Sequence, residues 1–202
     1  MKIICVGRNY VEHAKELQNE VPDKPVIFIK PQTALLLNKK PFFYPDFSKE
    51  VHYEGEIVLK IGKVGKSVQP KFAAGYIDSV TIGFDFTARD LQNDLKKKGL
   101  PWELAKGFDG AAAIGQFVKA DQKNFTQLDF TIKKNGSIVQ QGNTSQLIFS
   151  FEYLICFISQ YFTLQQGDMI YTGTPAGVGP VQIGDVLDGY LGDKLLITCP
   201  VK

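Results

Sequence analysis

The stretch Val51-His52-Tyr53-Glu54-Gly55-Glu56-Ile57-Val58-Leu59-Lys60-Ile61-Gly62 constrains the fold more than any other part of the chain. It opens polar and closes as an apolar, β-branched run stopped by Gly62, so it reads as a strand. Side chains alternate between faces along a strand, which puts Glu54 and Glu56 on one side. Two carboxylates side by side at the head of an apolar strand repel each other. The pair is costly unless a cation lies between them or water reaches both. A solvated strand end meets the second condition, so these two residues alone do not decide between a metal site and a wet edge.

At 202 residues, 44% of them hydrophobic and 22% charged, the chain is long enough to bury a sizeable core. It contains no repeat, low-complexity tract or linker, so the expectation is a single domain over residues 1–202. A net charge of +2 is too small to argue for nucleic acid or a membrane surface, and neither is expected as a partner. No apolar run approaches the ~18 residues of a membrane span. Residues 1–7 already read as a strand, without a signal peptide, and Cys5, Cys156 and Cys199 form neither a disulfide framework nor a zinc motif. A cytoplasmic location is the expectation.

Asn9 is a candidate N-cap for a short helix, with Glu12 at the N3 position of a capping box. His13 and Glu16 then lie at i and i+3, within reach of each other, although such pairs are commonly solvated. Segment 9–24 is weakly tethered through Pro22 and reads as a mobile lid. Residues 77–86 form a buried strand that hands over to a helix across 87–99, with Thr87 as N-cap and Gly99 as C-cap. Asp85 sits at that handover. The lysines at 96–98 read as a solvated helix end that complements the dipole. Lys106, among small and apolar residues, reads as pointing inward. Asn135-Gly136 signals a type I′ hairpin, and residues 145–160 one core-facing amphipathic helix. Residues 167–180 make a glycine-rich loop whose backbone N–H groups and the hydroxyls of Thr172 and Thr174 suit an anion, though a ligand-free Gly/Pro turn reads the same way. Gly65-Lys66-Ser67 resembles the tail of a phosphate-binding loop, but position 60 is lysine where that loop needs glycine.

Taken together, Glu54, Glu56 and Asp85 offer three hard oxygen ligands, which suit Mg²⁺ or Mn²⁺. Neither histidine has zinc spacing.

Over nearly its whole length the sequence resembles the fumarylacetoacetate hydrolase family, most closely its acylpyruvase/oxaloacetate decarboxylase branch. The matching motifs are Gly7-Arg8-Asn9-Tyr10 with His13 and Glu16, Tyr53-Glu54-Gly55-Glu56, Asp85-Phe86-Thr87-Ala88-Arg89-Asp90-Leu91-Gln92, Leu104-Ala105-Lys106 and Thr172-Gly173-Thr174-Pro175. The resemblance implies a mainly β (α+β) fold, a rolled sheet or distorted barrel with a few peripheral helices, assembled as a homodimer. It implies metal ligation by Glu54, Glu56 and Asp85. It also implies a substrate-carboxylate contact from Lys106, further substrate contacts from Arg89, Gln92 and Thr174, and a water-activating dyad of His13 and Glu16. His52 stands where relatives often carry an acid.

The residues and the resemblance agree on a small, metal-bound 2-oxo acid as substrate. The expected activity is Mg²⁺-dependent cleavage of its C3–C4 bond through a pyruvate enolate, with Mn²⁺ as the other cation the ligands accept. Acylpyruvate hydrolysis is favoured, with oxaloacetate decarboxylation beside it. Isomerase or hydratase action on 2-oxo-enoic acids and a non-catalytic metal-binding module are the alternatives.

Overall fold

The apolar runs become strands that are buried on both faces. In the computed structural model, which describes residues 1–16, 21–119 and 125–202, the chain opens with β1 (Ile3–Gly7), α1 (Val11–Glu16), β2 (Val26–Lys30), β3 (Leu35–Leu37), β4 (Val51–Tyr53) and β5 (Gly55–Ile61). Then come α2 (Pro70–Ala73), β6 (Ile77–Asp85), β7 (Thr87–Ala88), α3 (Arg89–Lys97), α4 (Glu103–Lys106), β8 (Ala112–Ile114) and β9 (Val118–Lys119). The remainder is β10 (Asp129–Lys134), β11 (Ser137–Asn143), α5 (Phe151–Tyr161), β12 (Met169–Tyr171), β13 (Gly179–Pro180), β14 (Val186–Leu191) and β15 (Lys194–Pro200). The expected mainly β architecture with peripheral helices is what forms. No helix among the described residues is long and apolar enough to cross a membrane.

A curled eight-stranded sheet runs β2-β1-β12-β5-β6-β8-β3, with β9 also on β6. Its centre is the antiparallel β5–β6 pair, in register from Gly55 opposite Phe84 to Ile61 opposite Ile77. Nearly every residue of β5 and β6 is buried, as expected of strands covered on both faces. A four-stranded sheet, β11-β10-β14-β15, lies over it. The two approach so closely that a Cβ on Gly55 would stand 2.3 Å from Ile132, and one on Gly189 2.6 Å from Ile82. Glycine is required at these crossings. A three-stranded strip, β13-β4-β7, completes the strand pairing.

Several local signals hold. Asn135 and Gly136 both have positive φ (53° and 81°), as a type I′ hairpin between β10 and β11 demands. Gly99 has φ +63° just beyond α3, where a left-handed residue ends a helix.

Three cap and helix expectations are corrected. Asn9 does not cap α1: its Nδ2 donates to the carbonyls of Thr172 (2.8 Å) and Phe149 (3.1 Å), and its Oδ1 accepts from the Phe149 amide (2.8 Å). Glu12, freed from a capping box, pairs with Lys15 at 2.8 Å. Thr87 does not cap α3 either, because it is drawn into β7 opposite His52, and Ala88 occupies the cap position without a side-chain bond. The helix expected over 145–160 is confined to Phe151–Tyr161. Asn143 and Gln146 close a capping box around a single 3₁₀ turn, and Ser150 then caps a fresh helix through the Tyr153 amide. Within α5, Phe151, Leu154, Ile155 and Ile158 give the buried stripe its helical spacing.

Asn9 fastens the end of β1 to the loop after β12, although the two are far apart in sequence. Replacing it by Ala leaves the Phe149 amide and two buried carbonyls unpaired. Asn9→Ala is therefore expected to lower stability by about 1–3 kcal/mol, measured as a fall in the urea midpoint with an unchanged m-value.

Candidate active site

Strand register builds the acidic cluster. Glu54 lies in the break between β4 and β5, Glu56 follows two residues on, and Asp85 ends β6, where its amide donates to the Glu54 carbonyl (2.8 Å). All three carboxylates are buried, and one oxygen from each lies within 4.8 Å of the others. Glu56 faces Gly83 across the β5–β6 pair, and glycine is needed there because a Cβ would stand 2.7 Å from the Ala113 carbonyl and 2.9 Å from the Tyr171 ring.

Cations meet two of the three. The Lys106 ammonium lies 2.7 Å from Glu54 Oε2 and 3.0 Å from Asp85 Oδ2. Lys30, completely buried, lies 2.6 Å from Asp85 Oδ1. Arg89 donates from Nη2 to Glu54 Oε1 and from Nη1 to Gln92 Oε1. Burial alone would raise the Glu54 carboxyl, but Lys106 and Arg89 outweigh it and hold it well below the usual range. Among the described residues Glu56 has no such partner and accepts the Gly173 amide alone, at 2.8 Å. Burial, and after it the charges of Asp85 and Glu54, push its carboxyl well above the ordinary value. Burial would lower Lys106, but its two carboxylate neighbours raise it, so it stays an ammonium.

This donor set fits a hard divalent cation. It is all oxygen and, among the described residues, Glu56 has no cationic partner and Asp85 Oδ1 no aligned hydrogen-bond donor. Lys30 balances the charge of Oδ1 while directing its hydrogen bonds to the carbonyls of Ala111 (2.7 Å) and Phe86 (3.3 Å).

The same cleft is lined by His13, Arg89, Gln92, Lys106 and Thr174, so the structure brings together the residues singled out from the sequence. His13 is buried, not on a solvated face. Its Nδ1 lies 3.0 Å from Glu16 Oε2, and Glu16 Oε1 in turn accepts the Gly177 amide at 3.0 Å. Of the segment read as a lid, residues 17–20 lie outside the described residues. Thr174 donates its hydroxyl to the Gly55 carbonyl (2.9 Å) and accepts from Gln140 (2.8 Å), which fixes the backbone between the two glutamates. The loop that suits an anion turns its Gly173 amide to the chain's own Glu56. His52 stands between Glu50 (2.8 Å) and the Arg89 Nε (3.4 Å), and burial, then Arg89, lowers its pKa.

Sequence reasoning missed Lys30, Gln140, Arg8 and Lys96. Lys97 and Lys98 are exposed as expected, but Lys96 turns into the cleft beside the Trp102 ring. Burial, with the charges of Arg89 and Arg8, lowers its pKa to about 8. Helical periodicity held the signal, since Arg89, Gln92 and Lys96 fall at i, i+3 and i+7 on one face.

A family model described as fumarylacetoacetate (FAA) hydrolase, C-terminal, matches residues 2–197. The mitochondrial oxaloacetate tautomerase of Bos taurus is 41% identical over 203 residues, covering 98% of this chain and 92% of that protein. The mitochondrial oxaloacetate decarboxylase of Dictyostelium discoideum is 43% identical over 188 residues, covering 92% and 86%. The crystal structure of fumarylpyruvate hydrolase from Pseudomonas aeruginosa, in complex with Mn²⁺ and pyruvate, superposes with a TM-score of 0.93 at 33% identity. It covers 100% of this chain and 89% of that one.

The unbalanced Glu56 has a measurable signature. Its carboxyl is raised in the folded protein, so the folded state binds that proton more tightly than the unfolded chain does. The stability it contributes is fully present below the ordinary glutamate value of 4.5 and is lost as pH rises through the folded pKa. Without divalent cation, Glu56→Gln should escape this loss. Its advantage over wild type in EDTA should grow from pH 5 to pH 8, to about 1–3 kcal/mol, read from urea unfolding at each pH.

Proposed function

The chain belongs to the fumarylacetoacetate hydrolase family, and from that premise we propose that it is a divalent-metal-dependent enzyme that cleaves the C3–C4 bond of a 2-oxo acid. Acylpyruvate hydrolysis is its favoured reaction, and oxaloacetate is a second substrate. The observation that carries this reading is that His13, held by Glu16, lines the same cleft as Glu54, Glu56, Asp85 and Lys106. A purely structural metal site has no use for a buried lysine or for an oriented imidazole beside it.

Glu54, Glu56 and Asp85 would hold the cation, Mg²⁺ or Mn²⁺, which supplies Lewis acidity to polarise the 2-oxo group and stabilise the enolate. Lys106 has three N–H donors. Two are spent on Glu54 and Asp85, which leaves the third for the substrate carboxylate. Arg89 and Gln92 are hydrogen-bonded to each other and both line the same cleft, where they would complete the contacts to the substrate. When C4 is an acyl carbonyl, His13 takes a proton from water as that water attacks C4. The C3–C4 electron pair then stays on C3 as the enolate. Glu16 orients the ring and stabilises the imidazolium so formed. When C4 is a carboxylate, CO₂ leaves with no attacking water, and His13 has no proton to remove. The same His13 also favours a second reading, keto–enol tautomerisation, in which it moves a proton at C3. That activity is the one named for the Bos taurus relative. The free thiols of Cys5, Cys156 and Cys199 support placing the enzyme in a reducing compartment such as the cytoplasm.

The test is turnover of acetylpyruvate, fumarylpyruvate and oxaloacetate with Mg²⁺, with Mn²⁺ and in EDTA, with enol and keto oxaloacetate followed separately. Activity that requires the metal is expected. A metal that raises stability while none of the substrates is consumed would overturn the reading in favour of a structural site. His13→Ala should reduce kcat/KM for acylpyruvate hydrolysis by about 10²-fold or more, and oxaloacetate decarboxylation far less. Equal losses would remove the water-activating role.

A further inference from the structure

We propose that Arg8 and Lys96 form a second anion subsite in the cleft, which receives the distal carboxylate of a dicarboxylic 2-oxo acid. This deepens the reading above, since it rests on the proximal carboxylate being held at Lys106.

Charge balance motivates it. Arg89, Lys106 and the underlying Lys30 are each ion-paired with Glu54 or Asp85. Arg8 and Lys96 line the same cleft, both half-buried, and neither belongs to an ion pair among the described residues. Withdrawing two like charges from water on one wall without a counter-charge is unfavourable, and an anion from solution relieves it. The depressed pKa of Lys96, traced to burial and to Arg89 and Arg8, shows that this positive field is felt.

Geometry supplies the second argument. Arg8 has φ +60°, a left-handed conformation that a non-glycine side chain adopts at a cost, and such strain gathers at functional sites. It places the guanidinium at the turn between β1 and α1, beside the cleft. Lys96 shares its helix face with Arg89 and Gln92 but sits about 10 Å further along the axis from Arg89. One helix therefore presents donors to both ends of an elongated ligand. Trp102, whose ring centroid is 5.5 Å from the Lys96 Nζ, forms the apolar wall beside it. A planar arginine with a neighbouring lysine matches a carboxylate.

The experiment compares two unreactive probes of equal chain length on the Mn²⁺-loaded protein by isothermal titration calorimetry. 2-Oxoglutarate carries the distal carboxylate and 2-oxopentanoate lacks it. Wild type should bind 2-oxoglutarate about 10-fold more tightly or better. Arg8→Gln and Lys96→Gln should each remove most of that preference while leaving 2-oxopentanoate affinity within about twofold, and Arg8→Lys should restore part of it. If Arg8→Gln fails to fold, Lys96→Gln, in the last turn of α3, carries the test. A wild type without the preference, including one that binds neither probe, overturns the subsite. So does a Lys96→Gln variant that keeps the preference or weakens both probes equally. Preference without turnover of the three substrates above leaves the subsite standing and removes the reaction. Turnover without preference does the reverse.

Discussion

Three buried carboxylates within 4.8 Å of one another are the condition the rest of this structure answers to. In an apolar interior such a group would stay neutral or come apart. Here Glu54 is held charged by Lys106 and Arg89, and Asp85 is flanked by Lys30 and Lys106. Glu56, among the described residues, is met by a single peptide dipole. The asymmetry matters more than the net charge. Two acids are stable without any further ion, and the third supplies the deficit that favours one.

The scaffold keeps this arrangement rigid by bringing backbones together without side chains between them. Gly55 lies under Ile132 of the overlying sheet, and there Gln140 of β11 accepts the Gly55 amide at 2.9 Å while donating to Thr174 and to the Pro175 carbonyl. The peptide linking Glu54 to Glu56 is thus gripped on both sides, from β11 and from the loop after β12. None of the Gln140 hydrogen bonds among the described residues goes to a carboxylate, yet they hold the peptide that joins two of them.

Much of this was legible. Strand alternation placed Glu54 and Glu56 on one side, the strand-to-helix handover marked Asp85, and the small, apolar neighbours of Lys106 marked its burial. The pairing of His13 with Glu16 followed from helical spacing. The placement of Arg89, Gln92 and Thr174 came through family resemblance, because their own residue types say little. What stayed hidden was long-range. Asn9 has the chemistry of a cap, and only tertiary contact with Phe149 and Thr172 diverts it. Thr87 is taken by pairing with His52, 35 residues earlier in strand β4. Lys96 was masked by the exposed lysines beside it, and Lys30 closes an apolar strand whose partner Asp85 lies in another element.

The parallel pairing of β1 with β12, Ile3 beside Met169 and Cys5 beside Tyr171, governs when the site comes into being. The middle of the main sheet stays open until a segment near the end of the chain arrives to fill the slot between β1 and β5. The amide that faces Glu56 belongs to Gly173, two residues beyond β12, so the acidic cluster is finished only after that closure. A nascent or truncated chain lacking the last strands would hold the acids without the frame that orients them. The acidic cluster therefore depends on a pairing between segments more than 160 residues apart in sequence, so its geometry reports on long-range closure of the sheet and not on local structure.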